Sequence, residues 1–200
     1  MTNSVELKGL TEVSALLKGL PSQVKRAQRN ATNVTLTHVN RNIIATVNTG
    51  TGLVKKQARN NLIVTRPRQG EVFGSIRASD TRIRLRHYKP TINRLTPTQA
   101  AITVKTEINK QAAQSGSAFV NPKFNKKVIM RRTGRHHIAK RGRYAGKRRE
   151  KTATAFGPAM SVHLNHMFEN GLMADVADFY QQTFLSKLDD QLARTGGKRR

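Results

Sequence analysis

Apolar residues recur at intervals of three and four through much of the first fifty positions. Val24, Ala27, Ala31 and Val34 continue as Leu36, Val39, Ile43 and Val47, with a phase slip near Thr35. That spacing predicts one long amphipathic helix. Pro21 suits a first helical turn, where its missing N–H would be unpaired anyway, and Gly50 and Gly52 end the helix. Ahead of it, Val5-Glu6-Leu7-Lys8-Gly9-Leu10 alternates as a short strand or extended lead-in, and residues 11–17 read as a short helix capped by Thr11. A shorter helix is expected over residues 53–60. The period then changes to two. Residues 71–77 and 81–86 alternate and flank Ser79-Asp80, which predicts a hairpin. In its second strand Ile83 and Leu85 face the core, while Arg82, Arg84 and Arg86 line the other face. Further strands are expected over 101–108, 118–120, 127–130 and 152–156, paired antiparallel because no helix-length crossover separates them. Gly157-Pro158 is expected as a structural turn that ends the last strand, and a helical turn or two follows over 161–168. Leu172, Val176, Tyr180, Phe184, Leu188 and Leu192 then recur every four residues, flanked by Phe179 and Leu185, and predict a final amphipathic helix. Asp175 and Asp178 in its first turn suit the helix dipole. The layout is a single α+β domain over residues 1–200: N-terminal helices with one long helix, a central antiparallel sheet and a C-terminal amphipathic helix.

Residues 131–151 fit neither period. They are rich in Gly and Arg, almost free of apolar residues, and are expected as a basic extended loop or arm. Residues 195–200 form a basic tail.

Charge separates the chain more sharply than hydropathy does. Residues 1–80 hold twelve Lys/Arg and four Asp/Glu, residues 81–151 hold twenty and two, and residues 152–200 hold five and five. The net charges of +8, +18 and 0 add up to the chain's +26. Solubility is served with less self-repulsion by mixed signs, so the middle third points to an anionic partner, either nucleic acid or an acidic protein surface. The absence of cysteine excludes disulfides, thiolate zinc sites and a cysteine nucleophile. The first residues lack the basic and apolar regions of a signal peptide, and no apolar run reaches the roughly 20 residues needed to span a bilayer. The expectation is a soluble protein made inside the cell.

Chemistry narrows the reading further. In the arm, Arg131, Arg132, Arg135, Lys140, Arg141, Arg143, Arg148 and Arg149 are the candidate partner-binding residues. Arginine favours bidentate contacts over a diffuse field. Tyr144 is the sole aromatic of the arm's second half, which is poor support for a base-stacking platform. Adjacent His136 and His137 do not suit one metal, and His163, His166 and Glu169 share a helical face better read as a polar surface stripe. No nucleophile elbow, HExxH motif or phosphate-binding glycine spacing occurs. The sequence therefore predicts a non-enzymatic protein without cofactor or metal.

The order of features resembles the minor tail protein Z family, the tail-completion proteins of long-tailed bacteriophages related to lambda. The resemblance rests on size, basic balance, absent cysteine, and Val5-Glu6-Leu7-Lys8-Gly9-Leu10 leading into a long helix. It rests also on an Arg-rich strand region, on Ala118-Phe119-Val120, on Ile129-Met130-Arg131-Arg132-Thr133-Gly134-Arg135, on Phe156-Gly157-Pro158-Ala159-Met160 and on the last helix. It spans most of residues 5–194. Gly157-Pro158-Ala159 stands where such proteins often show Gly-Pro-Ser, and residues 134–149 are unusually basic. The resemblance implies a structural virion protein of the neck or tail, acting in tail completion and head-tail joining. It implies a homo-oligomeric ring, sixfold by analogy, whose basic loop holds neighbouring ring proteins or channel DNA, with no membrane involved. The alternative is a nucleic-acid-binding protein using a basic arm and helix on the phosphate backbone.

Overall fold

A computed structural model of the chain describes residues 4–5, 22–94, 100–106, 108, 113–115, 118–120 and 128–196. The expected helix over 11–17, Pro21, most of the N-terminal lead-in, Glu107 and residues 197–200 lie outside the described residues. The fold is α+β. The helices are α1 (Ser22–Thr51), α2 (Lys55–Asn60), α3 (Met160–Glu169) and α4 (Leu172–Gly196). The strands are β1 (Ser4–Val5), β2 (Leu62–Thr65), β3 (Ser75–Ala78), β4 (Arg82–Arg84), β5 (Thr91–Arg94), β6 (Ala100–Val104), β7 (Ala113–Ser115), β8 (Ala118–Val120), β9 (Ile129–Ile138), β10 (Arg148–Thr154) and β11 (Phe156–Ala159). Among the described residues they form four small antiparallel sheets instead of one central sheet. No helix there is long and apolar enough to cross a membrane.

The chain groups into two compact units. The first comprises Met1–Thr46, Ala58–Thr81 and Met160–Arg200. Its sheet has the order β1-β3-β2, and its core joins Ala27, Ala31, Leu36, Val39 and Ile43 of α1 to Ile76, Leu164, Leu172 and Val176. The phase slip expected near Thr35 does not occur. Thr32 and Thr35 are themselves buried and Val34 faces solvent. Thr32 is buried with its single hydroxyl proton within reach of two acceptors, Gln28 O (3.0 Å) and Val72 O (2.9 Å), whereas Thr35 Oγ1 has no hydrogen-bond partner among the described residues. His38 of α1 stacks on Phe179 of α4, with centroids 3.9 Å apart.

On α4 the expected stripe drifts. Leu172 and Val176 are buried, but Leu185 and Leu192 are exposed and Gln191 is buried instead. Residues four apart advance by about 40° beyond a full turn, so five such steps carry Leu192 roughly 200° around from Leu172.

The second unit comprises Val47–Gln57 and Arg82–Ala159. It holds the end of α1, where Gly52 (φ 74) donates to Asn48 O at 2.8 Å and closes the helix in a left-handed cap. Its sheets are β5-β6-β7, β8-β9-β10 and the pair β4-β11. The hairpin expected between 71–77 and 81–86 is not formed. β3 pairs with β2 and β1, whereas β4 pairs with β11. The alternation marked the region of both strands, but β3 pairs back onto the preceding strand β2 as well as β1, β4 takes its partner from the distant β11, and Leu85 and Arg86 lie in a short 3-10 helix after β4. Ile83 and Leu85 are buried and Arg82, Arg84 and Arg86 exposed, as expected.

Gly157-Pro158 is not a turn. Phe156 opposes Arg84 and Ala159 opposes Arg82, so both residues sit in β11 opposite Ile83 alone, as a bulge. Pro158 donates no ladder hydrogen bond and is tolerated at such a bulge. Its carbonyl accepts the hydroxyl of Tyr88 at 2.8 Å. Tyr88 is 1% exposed, and its burial pushes the phenol well above its ordinary pKa.

Candidate functional site

The segment expected as a loop is an ordered β-ribbon. β9 runs from Ile129 to Ile138 and returns as β10 from Arg148 to Thr154. Only Ile129 at its base is buried, while residues 131–138 and 140–149 are all exposed. The usual apolar alternation is missing because these residues pack on nothing; backbone pairing and local side-chain bonds hold them.

The register explains how so basic a hairpin closes. Arg148 opposes Ile138, Arg149 opposes His137, Arg132 opposes Thr152 and Arg131 opposes Ala153. On its other side Arg131 opposes Ala118 of β8. No arginine in this register faces another cation of Lys or Arg type, and like charges directly opposite one another would destabilise the pair. Glu150 opposes His136.

Between Glu150 and Thr152 the register shifts, leaving residues 133–135 as a bulge on β9. Gly134 takes φ 72 there, a left-handed conformation open to glycine at little cost. The backbone groups freed by the bulge are satisfied by side chains. Gly134 N–H donates to Glu150 Oε1 at 2.8 Å, and Thr133 Oγ1 donates to Lys151 O at 2.8 Å. Arg132 Nη1 stands 4.0 Å from Glu150 Oε2. The one carboxylate of the ribbon is thus used as a pin for its bend.

The tip is also built. Gly146 N–H donates to Ala139 O (2.8 Å), Ala139 N–H to Lys147 O (3.0 Å) and Ala145 N–H to Gly142 O (2.9 Å). Gly142 and Gly146 both have left-handed φ. Tyr144 is flanked by two guanidinium groups, Arg143 at 4.9 Å and Arg149 at 4.3 Å from the ring centroid. Each is a cation–π contact.

All eight partner-binding candidates, Arg131, Arg132, Arg135, Lys140, Arg141, Arg143, Arg148 and Arg149, therefore lie on this one ribbon. Lys147 and Lys151 join them, giving ten Lys/Arg against Glu150 alone, or +9. The bulge went unread in the sequence. Its signal was present: a Thr-Gly pair amid the arginines, and a carboxylate at Glu150 in an otherwise cationic stretch.

At the ribbon's base, Arg84 and Arg86 join Met130 and Thr154 around an open cavity of about 250 Å³. Burial, with Arg86 and Arg84 beside it, holds the His87 imidazole below its ordinary pKa. The field of the arginines is felt by their neighbours.

The histidines do not converge. His136 and His137 are consecutive on β9 and point to opposite faces. His163 is buried, whereas His166 is 3.9 Å from the exposed Glu169. Among the described residues no group of three or more His, Asp or Glu could hold a metal ion. No family model, curated protein or solved structure matches the chain.

Proposed function

We propose that the protein is a non-enzymatic structural component of a phage neck or tail, acting in tail completion and head-tail joining. The cationic ribbon is its fastening element, holding a polyanionic partner in a homo-oligomeric ring. The observation that carries this reading is the ribbon itself: a charge of +9 held on an ordered, solvent-exposed hairpin. Folding gains nothing from that charge, since repulsion among the arginines opposes closure of the ribbon. A partner that neutralises it accounts for the charge. The order of a long helix, short sheets, a basic ribbon and a final helix fits the tail-completion resemblance and supports the same role. Charge reversal at Arg131, Arg132 and Arg135 to Glu in a phage carrying this gene tests it. The expected outcome is heads and tails that form normally but stay unjoined in electron micrographs. Normal yields of infectious particles from the reversed variant would refute the proposal.

A further inference from the structure

The faces of the ribbon carry information beyond its net charge. Consecutive residues of a strand point to opposite faces, and paired residues share a face. Arg148, Glu150 and Thr152 therefore lie on one face of β10 with Ile138, His136 and Arg132 opposite them. Arg149 and Ala153 lie on the other with His137 and Arg131, and Lys151 shares that face of β10. Both faces are cationic and both are open to solvent. A flat acidic protein surface would meet only one of them. A groove bordered by two rows of phosphates would meet both.

Dimensions and density agree with the groove. The paired stretch, Arg131 to Ile138 against Arg148 to Ala153, spans roughly 17 Å, five steps of about 3.3 Å along the unbulged β10. Six cations lie on that stretch, Arg131, Arg132, Arg135, Arg148, Arg149 and Lys151, or about one per 3 Å, against one phosphate charge per roughly 1.7 Å of duplex axis. Sheets pack about 10 Å apart face to face, and a two-stranded β-ribbon is admitted by the major groove of duplex DNA. The major groove is about 12 Å wide, and the minor groove, at about 6 Å, is too narrow.

Composition points the same way. Protein–protein interfaces are depleted of charge at their centres, while protein–DNA interfaces are much more positively charged. Ile138 and Tyr144 are the large exposed apolar residues of the ribbon, and Tyr144 is already engaged by Arg143 and Arg149. Seven of the ten cations are arginine, suited to bidentate phosphate contacts. Residues 131–151 contain no Asn or Gln, the side chains that pair with adenine edges.

We infer that the ribbon binds duplex DNA without sequence preference, lying in the major groove with its two cationic faces turned to the two phosphate backbones. This rests on the reading of the ribbon as the fastening element and names its partner. The test uses the full chain and two unrelated duplexes of about 24 base pairs, with affinity measured by fluorescence anisotropy across a salt series. Arg131→Gln/Arg132→Gln/Arg135→Gln is compared with Lys25→Gln/Arg26→Gln/Arg41→Gln, a charge-matched change on exposed positions of α1. The ribbon variant should flatten the slope of log affinity against log salt by about 2.7, or 0.9 per lost phosphate contact, on both sequences. The α1 variant should change it by less than about one. A duplex carrying glucosylated hydroxymethylcytosine in its major groove should bind weakly, while saturating netropsin in the minor groove should leave binding intact.

Equal slope losses in the two variants would overturn the inference, and so would displacement of duplex by poly-aspartate at equal charge. If the ribbon variant loses duplex binding but particles still join, the tail-completion reading fails and the DNA inference stands. If joining is lost while duplex binding is unchanged, the outcome is the reverse.

Discussion

Gly157 offers the sharpest test of how the second unit is held together. A Cβ placed on it would lie 2.7 Å from Tyr88 Cε2 and 3.2 Å from both Cδ2 and Cζ. Gly157 lies outside the left-handed region, so alanine there meets no backbone penalty of its own. The whole cost of Gly157→Ala is the displacement of the Tyr88 ring, which is buried and tied through its hydroxyl to Pro158 O. Overpacking of this kind costs about 1–3 kcal/mol, or a fall in melting temperature of roughly 2–12 °C for a chain of this length. Tyr88→Leu removes the ring and the hydrogen bond and should itself cost about 2–4 kcal/mol. The informative quantity is the coupling. In the Tyr88→Leu background the cost of Gly157→Ala should vanish, giving an interaction energy of about 1 kcal/mol or more. Denaturant unfolding followed by far-ultraviolet circular dichroism measures all four corners of the cycle. An equal cost of Gly157→Ala in both backgrounds would show that the glycine serves the strand's backbone, as a turn residue would, and would refute the packing argument.

Gly74→Ala in the first unit should destabilise by about 2–3 kcal/mol. The new Cβ would stand 2.8 Å from the backbone oxygen of Thr65 as well as 2.5 Å from Leu36 Cδ1, and thermal unfolding checks it. Glu150→Ala should lower hydrogen-exchange protection of the Gly134 amide about tenfold, a charged hydrogen bond discounted to about 1.4 kcal/mol for partial exposure. Glu150→Gln, which keeps an acceptor oxygen, should lose less. Leu192→Ala should change stability by no more than about 0.5 kcal/mol, and Leu172→Ala should cost about 2–4 kcal/mol, both read from denaturant midpoints. Equal effects would contradict the rotation of the apolar stripe along α4.

Elements whose stability comes from one buried stripe were legible in the sequence. The long helix, the short helix after it and the final helix stand where the spacing of apolar residues puts them, and Ile83 and Leu85 point inward as alternation requires. What periodicity cannot convey is pairing. β3 and β4 are adjacent in sequence and both alternate, yet they belong to different sheets, because strand partners are chosen by tertiary packing. Nor can a hydropathy pattern reveal polar residues that act as core. Thr32 and Thr35 read as a break in the stripe although both are buried on the core face of α1. Gly157-Pro158 read as a turn because that pair usually makes one, and the buried Tyr88 that it accommodates is distant in sequence. The candidate partner-binding residues were legible from charge alone. Their arrangement on a hairpin was not, because a strand exposed on both faces has no apolar residues to announce it.

The ribbon shows how far a fold can go against its own charge. At physiological ionic strength screening acts over about 8 Å, so each arginine of the ribbon feels several neighbours along its strand. The closed register limits this repulsion by setting Arg131 between two alanines and Arg132, Arg148 and Arg149 opposite residues that are not Lys or Arg. Glu150 serves the bend at Gly134, and two guanidiniums rest on Tyr144. Every one of these contacts offsets repulsion locally, and none removes the net +9. Replacing half of the cations by Thr or Ser would close the same hairpin with less strain. Local rules are broken in proteins mainly where function requires it. The unneutralised charge is therefore the part of the ribbon that its structure does not need, and under the proposed function it is the part that an anionic partner would neutralise.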